Sequence, residues 1–315
     1  MGYIEIKGDQ FYLNGKVFKV KGSNYRSRTH PWDMFTFFDR KEVDIEIEKA
    51  AELGINVFRL ISSKDAKLDD IDYFLKVCEK YNIKVYFCLS YPHIYATDIE
   101  KMDENRKYLK TLIGHLKNNE LIFGWDLYNE ADWIDHTYWH WGMKLDIAEQ
   151  RLKWFKMIVN EIKEIDNTHP ISFGATFSYS YWIPSEPFCF TLESIVDFID
   201  FHFYHYNYRE TTLIEEINKL KRISSKPILL GEVGFSTDPK LSLPGEPQHN
   251  EELQRAVYEK FIAAVKATNI SGMIQWCLID HPGCPNKSSE DYYGILRSDF
   301  SLKPAGVLYK ETKFG

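Results

Sequence analysis

The chain has 315 residues, 44% of them hydrophobic and 27% charged, with a net charge of −7 and a pI near 5.8. That length and composition provide a large buried core and exclude a disordered chain, and the acidic balance excludes nucleic acid as a partner. Five scattered cysteines without a CxxC pair read as reduced thiols and exclude a cysteine zinc site.

The N-terminus has no apolar signal core, and no apolar run of about 18 residues is present to span a membrane. The expectation is a cytoplasmic protein, or a secreted one whose signal peptide has been removed. Residues 3–20 alternate in polarity around Asn14-Gly15, which predicts an N-terminal β-hairpin. Val17–Tyr25 is a first strand, and Arg26–Asp39 is a long aromatic loop holding His30, Trp32, Phe35, Phe37 and Phe38. A repeat then sets in. The helix pattern of Asp39–Leu53 precedes the strand Ile55–Leu60, and Asp69–Tyr81 precedes Lys84–Leu89. The helix Glu104–Lys117 leads to the apolar run Leu121–Glu130, and the helix Met143–Ile165 leads to the strand Pro170–Ala175. An irregular aromatic stretch, Phe177–Phe190, separates this from the strand Phe198–Tyr204. The helix Leu213–Ile223, the strand Pro227–Gly234, the helix Glu251–Ala267, the strand Gly272–Leu278 and the helix Pro304–Lys313 complete the chain.

Eight strands, most of them separated by helices, predict an α/β fold: a (β/α)8 TIM barrel over residues 1–315 as one domain, with the hairpin in front. An open doubly wound sheet would want GxGxxG after its first strand, which Lys21-Gly22-Ser23-Asn24 does not supply. In such a barrel the active site lies at the carboxyl ends of the strands. Those ends carry Asn24 and Tyr25, Arg59, Ser90 with Tyr91 and His93, Asp126 with Asn129 and Glu130, His202 with Tyr204, Glu232, and Trp276 with Asp280. Glu130 and Glu232 each close an apolar run, where a sealed core would not tolerate an unpaired carboxylate. Two carboxylates on parallel strand ends are what glycosidic-bond cleavage requires.

Asn129-Glu130, Glu232 after Pro-Ile-Leu-Leu-Gly, Arg59 in Asn-Val-Phe-Arg-Leu, His202-Phe203-Tyr204, Trp276 and the lead-in Phe11–Lys16 together resemble glycoside hydrolase family 5 and its relatives in the same clan. The similarity runs from about residue 10 to 310 and departs from the family pattern at Ser90, where many members carry His. The resemblance implies that Glu130 is the acid/base and Glu232 the nucleophile. It implies that Asn129 binds the sugar 2-hydroxyl, that Arg59 and Tyr204 keep Glu232 ionised, that His202 lines the site and that Trp276 forms a floor under the reacting sugar.

Other features are discounted. His136 and His140 lack a third ligand at matching spacing, so no metal is expected; His202 and His205 fall on different strand faces. Trp133, Trp139 and Trp141 read as a packed loop or as a sugar-binding wall. The expected function is a retaining β-glycoside hydrolase without a cofactor, acting on an oligo- or polysaccharide, as an endo-β-1,4-glycanase on glucan or mannan. An exo-acting β-mannosidase or β-glucosidase is the alternative, and a non-catalytic carbohydrate-binding barrel is the alternative from another class.

Overall fold

The computed structural model describes residues 2–62, 66–89, 99–130, 132, 146–176, 181–183, 191–204, 212–242, 244–245, 247–283 and 289–314. Strands β1 (Ile4–Lys7), β2 (Gln10–Leu13) and β3 (Lys16–Val17) form an antiparallel sheet in the order β1-β2-β3. The expected hairpin is therefore three-stranded, and its tight turn is made by Asn14 and Gly15, both at positive φ.

The remaining strands are β4 (Val20–Tyr25), β5 (Val57–Ile61), β6 (Lys84–Cys88), β7 (Ile122–Asn129), β8 (Ile171–Ala175), β9 (Ile199–Phe203), β10 (Ile228–Val233) and β11 (Gly272–Gln275). They pair in parallel and close into a barrel, with β11 against β4. The fold is a (β/α)8 barrel. Around it run α1 (Arg40–Glu52), α2 (Leu68–Lys80), α3 (Ile99–Leu116), α4 (Asp146–Ile165), α5 (Leu213–Ile223), α6 (Glu251–Thr268) and α7 (Pro304–Glu311). Several helices start on side-chain caps: Asp39 accepts from the amides of Lys41 and Glu42, Thr212 and Glu215 form a capping box, and Asn250 accepts from Leu253. No helix among the described residues is long and apolar enough to cross a membrane.

Strand alternation divides the apolar residues into two cores. Phe58, Leu60, Val85 and Phe87 face outward and pack with helix residues such as Ile47, Phe74 and Leu112. Val20, Val57, Tyr86, Phe123, Phe198, Leu229 and Ile274 face inward near the strands' amino ends, where Ile4 and Phe11 of the small sheet join them. Phe11 is fully buried, edge-on to Phe123 and Phe198 at 4.9 and 5.2 Å. The N-terminal sheet thus plugs one end of the barrel. What the strands carry inward beyond that layer is polar, and it lies at the carboxyl end.

Candidate active site

Simple alternation brings Asn24 and Arg59 inward side by side, paired in register on β4 and β5. It does not bring in Glu232 or Glu130. On β10, Leu229 faces the interior and Leu230 the helices, so Glu232 would fall on the outer face. A register shift between Leu230 and Glu232 turns it inward, opposite His202 of β9. Gly231 permits this, because a Cβ there would stand 2.1 Å from Asp200 Oδ1. Strand β7 has a second shift between Asp126 and Asn129: Leu127 and Tyr128 both pack outward while Asp126 and Asn129 reach the same network. Glu130 follows at φ +48, the left-handed region that costs a non-glycine residue roughly 1–2 kcal/mol. Its amide donates to Gly174 O at 2.8 Å, which holds that turn.

Arg59 is the hub. It is fully buried and donates to Asp126 Oδ2 (2.6 and 3.1 Å), Asn24 Oδ1 (2.9 Å), Asn129 Oδ1 (2.6 Å) and Glu232 Oε1 (2.7 Å). Asp126 is tied in turn by the amides of Tyr128 and Gly174. A side chain at position 174 would meet His202 Nε2 at 2.7 Å, with Arg59 and Asp126 at 3.2 Å, so glycine is needed where these groups converge.

Glu130, His202 and Glu232 present ligand atoms within 4.8 Å of one another. His202 Nδ1 lies 2.7 Å from Glu130 Oε1 and 3.6 Å from Glu232 Oε2. Tyr204 donates to Glu232 Oε2 at 2.8 Å. Burial pulls the imidazole's pKa down, but the charges of Glu232 and Glu130 outweigh it and raise His202 to about 9. Burial pushes Glu232 up, yet His202, Arg59 and the Tyr204 hydroxyl together hold it below the usual carboxylate range. The sequence reading gave that task to Arg59 and Tyr204; His202 is the largest of the three influences. The imidazole Nδ1 thus stands between the two carboxylates.

Trp276 closes the mouth beyond β11, and its peptide bond to Cys277 is cis. The resemblance makes this indole the floor under the reacting sugar. It is only 5% exposed, with the Arg26 guanidinium 5.0 Å over its ring and 4.7 Å from that of Trp32. The wall there is a composite of two indoles and a cation. Trp276 Nε1 donates to Glu290 Oε2 at 2.8 Å.

Two strand-end residues lie elsewhere. Tyr25 turns outward and hydrogen-bonds Glu46 of α1, while Asp280 pairs with Lys303 at 2.8 Å and accepts from the Gly294 amide. Ser90, Tyr91, His93, Trp133, His136, Trp139, His140, Trp141 and His205 lie outside the described residues, as do Cys189 and Cys284; Cys78, Cys88 and Cys277 are buried. Sequence reasoning missed Arg26, Glu290 and Asp200. Arg26 and Glu290 sit in loops without a period, and only Asp200, two residues before His202 on one strand, left a signal.

No family model matches the chain. Among curated proteins it is similar to a β-galactosidase of Thermoanaerobacterium thermosulfurigenes, 25% identical over 97% of this chain and 38% of that protein. It is also similar to mannan endo-1,4-β-mannosidase A of Podospora anserina, 21% identical over 80% of this chain and 79% of that protein. The chain thus spans well under half of the first relative. Among solved structures, a GH2 β-galacturonidase from Eisenbergiella tayi bound to galacturonate superposes with TM-score 0.74 at 17% identity, covering 98% of this chain and 53% of that one. A GH5_18 enzyme from Streptomyces cattleya in complex with GlcNAc also gives 0.74, at 16% identity over 93% and 79%. Barrels of families 2 and 5 fit equally well, so the fold is shared and family 5 is not singled out.

Proposed function

We propose that the protein is a retaining glycoside hydrolase acting on β-linked glycans. The observation that carries this is the approach of the Glu130 and Glu232 carboxylates, whose nearest oxygens lie within 4.8 Å. Retaining enzymes hold their carboxyl groups about 5–5.5 Å apart, whereas inverting ones need about 6.5–9.5 Å for the attacking water. Both curated relatives are glycosidases by name, which supports the same class.

In this reading Glu232 attacks the anomeric carbon as the bond to the leaving oxygen breaks, and Glu130 gives that oxygen its proton. Glu130 then takes a proton from water, whose oxygen bonds the anomeric carbon and displaces the Glu232 carboxylate. Arg59, Tyr204 and His202 keep Glu232 ionised for the first step. Asn129, its amide oxygen fixed by Arg59, offers its nitrogen to the 2-hydroxyl. Trp276 walls the reacting sugar together with Arg26 and Trp32.

The substrate in the first reading is a β-1,4-glucan or β-1,4-mannan cut internally. The contact of Trp32 with Trp276, at 6.4 Å between ring centroids, narrows one side of the mouth and favours exo-acting β-glycosidase action as the second reading. Aryl β-glycosides and both polysaccharides, assayed for reducing sugar and product length, separate the two: long internal fragments mean endo action, single sugars exo. Proton NMR of the first product from a β-linked substrate should show the β-anomer before mutarotation; an α-anomer appearing first would overturn double displacement.

A further inference from the structure

Beside the two carboxylates of the proposed mechanism and Asp126 under Arg59, the mouth of the site holds Glu290. Glu290 sits on a short 3-10 turn, Ser289–Tyr292, half-buried at the Nε1 edge of Trp276. It lies close enough to Glu232 and Glu130 for their charges to act on it. On the ring face of the same indole lies Arg26, whose Nη1 donates to Pro31 O at 3.1 Å and whose Nε is buried without a partner among the described residues. The contrast with Arg59 is informative. Every nitrogen of Arg59 is engaged by Asp126, Asn24, Asn129 or Glu232, so that cation is committed to the protein.

We propose that Glu290, with Arg26 across the indole from it, determines specificity for an uncharged, hydroxyl-bearing reacting sugar and rejects uronic acids. The proposal rests on the glycosidase reading and names the substrate class of that same site. A carboxylate fixed by an indole N–H accepts a sugar hydroxyl well, and such charge-assisted bonds are the strong ones. Arg26 supplies the complementary donor. A sugar bearing its own carboxylate would instead bring a further anion against Glu130, Glu232 and Glu290. Burial, together with the charges of Glu232 and Glu130, already raises Glu290 to about 7 against the opposing effects of the Trp276 hydrogen bond and Arg26. Further negative charge there is resisted.

The test pairs turnover with binding. Wild-type protein and Glu290→Gln are assayed on p-nitrophenyl β-hexosides and on the matching β-hexuronides. Isofagomine and its uronic counterpart are titrated in parallel by tryptophan fluorescence. The expected result is that hexosides are turned over, and isofagomine bound, at least roughly tenfold better than the uronic compounds. Glu290→Gln should lower kcat/KM on hexosides roughly tenfold and narrow both gaps. Uronic compounds preferred by the wild type would mean that Arg26 captures an acid, and would overturn the proposal. So would a Glu290→Gln protein with both preferences intact, or a wild type that binds neither isofagomine. Should the wild type hydrolyse no glycoside while still binding isofagomine in preference, the hydrolase reading would fail and the specificity assignment would stand.

Discussion

Tyr204→Phe isolates one contribution to the ionisation of Glu232 without opening the site. The hydroxyl donates to Glu232 Oε2 at 2.8 Å, and the ring is held by Trp276 and Tyr293, so phenylalanine keeps the packing and removes only the donor. A hydrogen bond to a charged group contributes about 1.5–3 kcal/mol. If all of it acts on the attacking carboxylate, kcat/KM on an aryl β-glycoside should fall roughly 10- to 150-fold. The sign of the pH effect follows. Glu232 is held below the usual carboxylate range, so it is ionised above that lowered pKa. Losing a donor raises the pKa, and the acidic limb of the kcat/KM profile should move to higher pH. Initial rates from about pH 3 to 8 read this directly, while a thermal melt confirms that the fold is retained. A native rate with an unmoved acidic limb would refute the assignment of Tyr204 as the donor that sustains Glu232.

Glu232→Ala should lower turnover by at least about a thousandfold; added azide should restore cleavage and release the α-glycosyl azide, the product of a single inversion, detectable by NMR. Arg59→Ala should destabilise the protein by about 3–5 kcal/mol in a denaturant titration, because it strands buried Asp126 and Glu232 without their shared cation. His202 has a raised folded pKa, so its contribution to stability is complete below the ordinary 6.5 and is lost as pH rises through about 9. The melting temperature of the wild type should fall across that window, and His202→Gln should flatten the fall.

The barrel was legible because its helices and strands differ in period and their alternation has one common closed solution. Asn24 and Arg59 were legible for a related reason: their two strands pair without a register shift, and a polar residue on the inner parity must face the barrel axis. Glu232 and Asn129 were found by the local grammar of apolar runs ending in polar groups, yet parity alone would have turned Glu232 outward. The register shifts that correct this are set by cross-strand pairing and by Gly231 beside Asp200, relations that no short window of sequence contains. Tyr25 and Asp280 show the opposite failure. Both stand at strand ends, but Glu46 and Lys303 take them away from the mouth, and those partners come from helix α1 and from the residue just before α7. Arg26 and Glu290 were invisible because loop residues reach a site through chain reversals that leave no periodic trace.

The two proposed catalytic carboxylates are made unequal by how the chain delivers them. Glu232 arrives inside a strand, 6% exposed, with Arg59 and Tyr204 bonded to its two oxygens. Glu130 arrives one residue past a strand, on a left-handed turn, 27% exposed and bonded to His202. A nucleophile must stay ionised while buried against a sugar, and dense donation from fixed groups serves that end. An acid/base must exchange its proton with a leaving group and then with water, so it needs access and fewer fixed donors. His202 links the pair: its Nδ1 is 2.7 Å from one carboxylate and 3.6 Å from the other. A proton moving onto or off Glu130 therefore changes the field at Glu232 through a single ring. The register shift that turns Glu232 inward thus accounts for the chemistry as well as the geometry, because on the outer face its carboxylate would lose the guanidinium, the phenol and the imidazole together.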